Sequence, residues 1–454
     1  MSGNQLNNIP NVITAKIIHQ VLNDKMSMRE AIKQSAQASP EVIKLIYSLA
    51  FETIRRKNLI DQLFHKAIPH QSTEKVEPLT MNLIRIATYR LKFLEEKERI
   101  VLSDIKNELE IDQNNLESFS AVEEAVHLIN DITIEEALSS FKDQLVREAY
   151  FNFMPTWIFR KLIDQFGDEE GRKLVKALNS PLPTYLRINQ FKASDNEIRE
   201  LLEKYQNEYK IDEHIPHLFS FEGEGEKPLP LIEGFREKFT IQGKISALVP
   251  YVLDPQKNEI ILDMCAAPGG KTALISEIMN NSGTIVANEL NEKRAAFLGP
   301  RFEKLGISNV IVRVGDGLKI QENEYGLFDR ISLDPPCTGS GTFQSRPDTK
   351  WRIDKYSITR LSDLQKKLLA KAGELVKPGG VIVYSTCSMF KEENEEVIAS
   401  FLLNYPQFIL ENIAIDFGLP IAQFDGKNRY FLPHTTKTEG FFITKIRKKQ
   451  LSVD

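Results

Sequence analysis

Apolar residues recur at helical spacing through the first third of the chain. Between Pro40 and Ile68, the positions Ile43, Ile46, Ala50 and Ile54, then Leu59, Leu63 and Phe64, trace one face of a helix. The length predicts two helices or one long one. Ser39-Pro40-Glu41 is a start signal, with serine as the cap and proline at the first helical position. The stretch Leu79–Glu96 repeats the pattern with Thr80 as its expected cap, and the acidic stretches Val122–Ile132 and Ile132–Phe141 follow. Residues 1–145 therefore read as an all-α domain.

Residues 146–245 read as a linker and a small α/β subdomain. An aromatic-rich helix over Pro155–Phe166 ends near Gly167, and a proline-punctuated segment, Ser180–Phe191, follows. Over residues 246–450 the rhythm changes to strand–helix alternation. Strands are predicted at Glu259–Leu262, Thr284–Ala287, Val310–Val314, Arg330–Leu333, Val381–Tyr384 and Phe441–Ile446. A helix over Thr359–Val376 is stopped by Pro378-Gly379-Gly380. Such alternation predicts an α/β fold with a mostly parallel, doubly wound sheet, whose ligands bind at the carboxyl ends of the strands.

The 454 residues, 42% hydrophobic and 27% charged, provide for two or three domains with sizeable cores. Three cysteines, Cys265, Cys337 and Cys387, cannot close a disulfide framework, which points to reduced thiols in a cytoplasmic protein. The chain contains no 18-residue apolar run, and the N-terminus lacks a basic-then-apolar pattern, so no membrane partner is expected. Net charge is −5, so a nucleic-acid partner must be argued locally. Residues 1–100 hold 15 basic against 10 acidic side chains, and residues 101–150 hold 3 against 12. That asymmetry fits a helical domain with one face for phosphates, Arg55, Arg56 and Lys57 among its candidates, and it fits an ordinary solvated surface as well.

Chemistry gathers where the predicted strands end. The first runs into Asp263-Met-Cys265-Ala266-Ala267-Pro268-Gly269-Gly270-Lys271-Thr272. This is neither a P-loop, because Cys265 stands where the first glycine would be, nor a dinucleotide fingerprint. Its glycines still let a ligand approach a helix N-terminus. Glu289 closes the second strand, at the distance from the glycine loop where an acid accepts from ribose hydroxyls. Asp316 lies between two glycines after the third. Three acids in register describe a pocket for an adenosine-bearing cofactor without a pyrophosphate, and S-adenosyl-L-methionine fits best. The fourth strand ends in Asp334-Pro335-Pro336-Cys337 and the fifth in Ser385-Thr386-Cys387-Ser388. No metal is expected.

The runs DMCAAPGGKT, DPPC and STCS, in this order, closely resemble the NOL1/NOP2/Sun group of RNA cytosine-5 methyltransferases. The likeness extends to Thr184–Asn189, Arg346–Trp351, the acidic run Glu392–Glu396 and Glu439–Phe442, and the helical front is similar to a NusB-type RNA-binding domain. The resemblance implies a Rossmann-like, S-adenosylmethionine-dependent methyltransferase domain. It implies cofactor contacts at Cys265, Ala266, Ala267, Pro268, Gly269, Gly270, Lys271, Glu289, Asp316 and Asp334. It makes Cys387 the nucleophile, assigns Cys337 to product release, and places Asp334 at N3 and the amine of the cytosine. Glu289 stands where the family usually has Asp. Cys337 stands where amine methyltransferases carry a base-stacking Tyr or Phe, which favours carbon chemistry.

The residue types suit that reaction. Carbon 5 of cytosine becomes nucleophilic only after a nucleophile adds at C6, and a thiolate suits this soft addition. A base inside a duplex cannot reach a buried thiol, so the target must be unpaired or flipped out. Ribosomal RNA, of the small subunit, is the favoured partner. Transfer RNA is the alternative, and a catalytically idle, RNA-binding ribosome assembly factor is a third reading. Trp351 is expected to pack in a core in preference to stacking on a base.

Overall fold

A computed structural model describes residues 9–33, 38–112, 118–204, 208–221, 235, 237–414, 418–420 and 427–450. They form two units: Met1–Asn179 with Ser345–Ile353, and Ser180–Gln344 with Asp354–Asp454.

Eight helices between Pro10 and Ser139 build the front of the first unit, among the described residues. The long apolar run becomes two of them, Pro40–Arg55 and Lys57–Ala67. The Ser39 hydroxyl accepts from the Val42 N–H and Pro40 opens the helix, so that start signal works as expected. The next start differs. Thr80 is not the cap; the helix Pro78–Phe93 begins two residues earlier, and Glu77 accepts from the N–H groups of Leu79 and Thr80. The Thr80 hydroxyl donates to the same carboxylate at 2.8 Å. A carboxylate there satisfies two orphan donors and complements the helix dipole.

The first unit continues beyond residue 145. Helices Gln144–Phe151, Thr156–Phe166 and Asp168–Ala177 belong to it, the second burying Ile158, Phe159 and Leu162. Gly167, with φ of +84°, ends that helix where expected. The segment Ser345–Ile353 also lies in this unit. There Trp351 packs against the helical core and its Nε1 donates to the Ile54 carbonyl at 2.7 Å, while Lys350 Nζ donates to the Asn179 side chain at 2.9 Å.

The second unit holds two sheets. Strands β1 (Thr184–Ile188), β2 (Lys210–Ile211), β3 (Leu218–Phe221) and β4 (Phe239–Ile241) form an antiparallel sheet in the order β2-β3-β1-β4. Arg187 of β1 is fully buried, pairing with Glu277 at 2.6 Å and donating to Gln242 at 2.9 Å. That pair ties the small sheet to the helix Gly270–Ile278.

The large sheet contains β5 (Ile260–Asp263), β6 (Thr284–Glu289), β7 (Val310–Val314), β8 (Phe328–Leu333), β9 (Val376–Thr386), β10 (Phe408–Glu411), β11 (Leu419–Pro420), β12 (Arg429–Phe431) and β13 (Phe441–Lys448). Its order is β11-β12-β13-β9-β8-β5-β6-β7, with β10 on β13. The five strands from β9 to β7 are parallel, and β13 runs antiparallel against β9. Each of the predicted strands is present. Central strands read as continuous apolar runs because helices cover both faces: Ile261, Leu262, Ile285, Val286, Ile382 and Val383 are all fully buried. The chain moves from β5 outward to β7, then returns to place β8 on the other side of β5. The crevice between β5 and β8 is the topological switch point, where such sheets bind ligands.

Candidate active site

The loop after β5 is built around its glycines. Gly269 has φ of +92°, and a Cβ there would lie 2.9 Å from Leu298 and 3.0 Å from Phe302. Only glycine meets both demands, and the turn delivers Gly270 to the first position of the helix Gly270–Ile278. Arg294 donates to the Ala267 carbonyl at 2.6 Å and Arg301 to the Pro268 carbonyl at 2.8 Å, holding the loop from outside. From inside, the Thr272 hydroxyl donates to Asp263 at 2.6 Å. Burial pushes the Asp263 carboxyl up to about 6, with that hydrogen bond and Lys271 opposing the rise. Cys265 is pushed up as well, by burial and then by the carboxylates of Asp263, Asp334 and Glu289, so it stays a thiol.

Lys271 reaches across the crevice. Its Nζ lies 2.6 Å from Asp334 Oδ2 and 5.7 Å from the Phe441 ring centre. Burial pulls the ammonium down, but Asp334 more than offsets this and the net shift is upward. Glu289, at the end of β6, is buried and accepts from the Asn291 N–H at 2.9 Å, with Arg294 3.4 Å from its other oxygen. Asp316 follows β7, and one of its oxygens accepts from the Leu318 N–H at 3.0 Å. The glycine loop and three acids therefore stand at the carboxyl ends of four neighbouring parallel strands. This donor set suits a ligand with hydroxyl, amine and carboxylate groups, and it offers no cluster of phosphate-binding cations.

Cys337 and Cys387 meet beside it. Because β8 and β9 are adjacent and parallel, the loops that leave them bring the two sulfurs to 3.2 Å, and both cysteines are free thiols. The hydrogen bond with Cys387, and then burial, hold the Cys337 thiol well above its usual range. The loops interlock through backbone. Gly341 donates to the Cys387 carbonyl at 2.9 Å, and Gly440 donates to the Gly341 carbonyl at 2.7 Å. A Cβ on Gly341 would stand 2.1 Å from the Gly440 oxygen, so this crossing admits no side chain. The Glu439–Phe442 run thus belongs to the site's frame.

Two residues without an assigned role in the sequence are central to that frame. Glu393 is fully buried and accepts from Thr338, Ser388 and Gln365. Asn394 donates to the Ser388 carbonyl at 2.9 Å and to Tyr430 at 3.0 Å, and accepts from Thr386 at 2.6 Å. The acidic run Glu392–Glu396 was the available signal. Nothing in its pattern separates the fully buried Glu393 and Asn394 from the partly exposed Glu392 and Glu395 and the exposed Glu396.

The front-domain cations behave differently from the phosphate reading. Arg55 is buried, donates to the Asn179 carbonyl at 2.6 Å and pairs with Glu52 at 3.2 Å. Arg56 pairs with Glu52 and lies about the rings of Tyr89, Phe93 and Phe153, at 5.4, 5.0 and 5.0 Å. Lys57 pairs with Asp61 at 2.8 Å. All three are engaged inside the first unit, where desolvated cations need partners. Trp351 is likewise a packing residue.

Residues 250–447 match the family model described as 16S rRNA methyltransferase RsmB/F. Residues 154–224 match the ferredoxin-like domain of RsmF/B-like methyltransferases, and residues 10–107 match the NusB family. The chain is 29% identical to the probable ribosomal RNA small subunit methyltransferase B of Bacillus subtilis, over 92% of this chain and 94% of that protein. It is 32% identical to the 28S rRNA (cytosine-C(5))-methyltransferase of Mus musculus, over 69% of this chain and 40% of that longer protein. A crystal structure of a methyltransferase homolog from Pyrococcus horikoshii shares 31% identity at a TM-score of 0.60, covering 68% of this chain and 100% of that one. Among the described residues no helix is long and apolar enough to cross a membrane. With a NusB domain in front, a ferredoxin-like domain next and a Rossmann-like domain carrying the paired cysteines, this chain belongs to the RsmB/F methyltransferase family, whose named relatives include RNA cytosine-5 methyltransferases.

Proposed function

We propose that the protein methylates carbon 5 of a cytosine in small-subunit ribosomal RNA, using S-adenosyl-L-methionine and a covalent bond between Cys387 and C6. The observation that carries this reading is the 3.2 Å approach of Cys337 and Cys387 beside the Lys271–Asp334 pair. An amine methyltransferase has no use for a second thiol there.

The cofactor supplies an electrophilic methyl group when bound. The loop from Cys265 through Ala266, Ala267, Pro268, Gly269 and Gly270 to Lys271 would hold it, with Glu289, Asp316 and Asp334. The Cys387 thiolate adds to C6, pushing the ring's electrons toward C5 and N3. Asp334 takes N3 and the exocyclic amine, and a proton shared with Lys271 Nζ through the 2.6 Å contact answers the charge that builds at N3. Once C5 carries its methyl group, water takes the C5 proton, the C6–sulfur bond breaks and the ring double bond returns. Cys337, held as a thiol within 3.2 Å, donates to the departing sulfur of Cys387. The NusB-type domain and the Bacillus subtilis relative support ribosomal RNA as the substrate, and residues 1–145, 146–245 and 246–450 are read as RNA-binding, connecting and catalytic segments of a cytoplasmic enzyme.

The test uses purified full-length protein, labelled S-adenosylmethionine, and ribosomal and transfer RNA that lack cytosine-5 methylation, with nucleoside mass spectrometry as the readout. 5-Methylcytidine in small-subunit ribosomal RNA alone is expected. Product in transfer RNA alone would keep the chemistry and overturn the substrate. No product in either, with the cofactor bound, would favour an idle assembly factor.

A further inference from the structure

Each cysteine of the pair is followed by a hydroxyl residue: Thr338 after Cys337, and Ser388 after Cys387. Both hydroxyls donate to one oxygen, Oε2 of Glu393. The Thr338 N–H donates to the other, Oε1, at 2.9 Å, and Gln365 donates to that same oxygen at 3.0 Å while also reaching the Pro336 carbonyl at 2.9 Å. Glu393 is itself fixed, since the Tyr384 hydroxyl donates to its carbonyl at 2.6 Å. Ser340 completes the cluster: its hydroxyl accepts from the Met389 N–H at 2.8 Å and lies 3.1 Å from Ser388.

This is an unusual use of a fully buried acid. Its partners are neutral donors, so the carboxyl gives up solvation without a salt bridge in return, and burial raises its proton affinity. A buried carboxyl earns such a place only where its hydrogen bonds hold something that packing cannot. Here they hold two loops that leave different strands, and they bring together hydroxyls that also meet directly, Thr338 3.2 Å and Ser340 3.1 Å from Ser388.

We infer that Glu393 is a positioning residue that sets the separation and mutual orientation of the Cys337 and Cys387 sulfurs by tethering both loops to a single carboxyl group. Its consequence for turnover rests on the proposed function; its consequence for sulfur spacing does not. Glutamine keeps one carbonyl acceptor for Thr338 and Gln365, and the two hydroxyls can reverse to accept from its amide. Alanine removes every tether that runs through the carboxyl and leaves the weaker hydroxyl contacts of Ser388 with Thr338 and Ser340.

The test compares Glu393→Ala and Glu393→Gln in the full-length protein by two readouts. The first is the rate at which diamide, an azo oxidant, joins the two thiols, taking one hydrogen from each to form the disulfide and the hydrazine. The second is the split between kcat and KM for RNA methylation. Glu393→Ala is expected to slow disulfide formation about 10-fold and to lower kcat by about 10- to 100-fold, with KM within about 2-fold. Glu393→Gln should stay within about 5-fold of the parent in both. If Glu393→Ala fails to fold, Thr338→Val and Ser388→Ala each remove one tether and should show the same pattern more weakly. An unchanged disulfide rate in Glu393→Ala, or in both single-tether variants, overturns the inference whatever the activity. A parent enzyme without methyl transfer whose disulfide rate still depends on Glu393 would overturn the proposed function and leave the positioning role standing.

Discussion

Lys271 Nζ and Asp334 Oδ2 lie 2.6 Å apart across the crevice between β5 and β8, so one ion pair spans the switch point of the sheet. Lys271 comes from the loop that would hold the cofactor, and Asp334 from the loop that carries Cys337. The pair joins the two halves of the site, and its members are expected to act as a unit. Lys271→Met and Asp334→Asn should each lower the single-turnover methylation rate about 100-fold. The double variant should lose little more than either single one. A double-mutant cycle on single-turnover rates checks this; independent, multiplying losses would show that the pair is not a functional unit.

Asp263 sets a pH dependence. Its folded-state value of about 6 stands above the ordinary 3.8, because burial disfavours the charged form. A group raised on folding stabilises the native state below its unfolded value, and that contribution is lost as pH rises through the folded value. The stability of the parent relative to Asp263→Asn should therefore fall between about pH 4 and pH 6 and level off above, by about 3 kcal/mol at most. Denaturant titrations of both proteins across pH 4–8 measure the difference, and a parallel pair of curves would contradict it.

Gly341→Ala should be among the most damaging small substitutions in the chain. The new Cβ would meet backbone at 2.1 Å, and both flanking strands are anchored, so neither partner can withdraw cheaply. The expected cost is about 3 kcal/mol or more, with loss of methyl transfer because the Cys387 carbonyl is held by the same residue. Thermal unfolding and activity together check it. Unchanged melting with unchanged turnover would mean the crossing is looser than described.

Arg55→Ala is expected to destabilise the first unit by about 1–3 kcal/mol while leaving the salt slope of RNA binding as it was. A phosphate contact would instead reduce that slope by about one. Measuring affinity at several salt concentrations separates the two.

Much of the architecture was legible because period and punctuation agree. Ile261 and Leu262, or Ile382 and Val383, are short apolar runs that end at Asp, Glu or Ser-Thr-Cys, and a parallel sheet turns such endings into one rim. The pairing of Cys337 with Cys387 follows from the adjacency of β8 and β9. Other features depend on tertiary placement. Glu77 caps a helix although glutamate is not a favoured cap, and the serine-like Thr80 beside it donates to it instead. Arg55 sits on a helix with the charge pattern of a solvated face, yet it is buried and donates to the Asn179 carbonyl, far along the chain. Glu393 lies in an acidic run whose members range from fully buried to exposed, Glu396 being at the surface. No periodicity marks Glu393 as the acid of that run that is fully buried.

The roles of the two thiols offer the most direct test of the mechanism. Cys387→Ala, Cys337→Ala and the parent protein would each be incubated with ribosomal RNA and S-adenosylmethionine, then resolved on a denaturing gel. Cys387→Ala should give neither 5-methylcytidine nor an RNA–protein adduct, and Cys337→Ala should accumulate an adduct that survives denaturation. If instead Cys387→Ala accumulated the adduct and Cys337→Ala formed none, Cys337 would be the nucleophile and the assignment of the two thiols would be reversed.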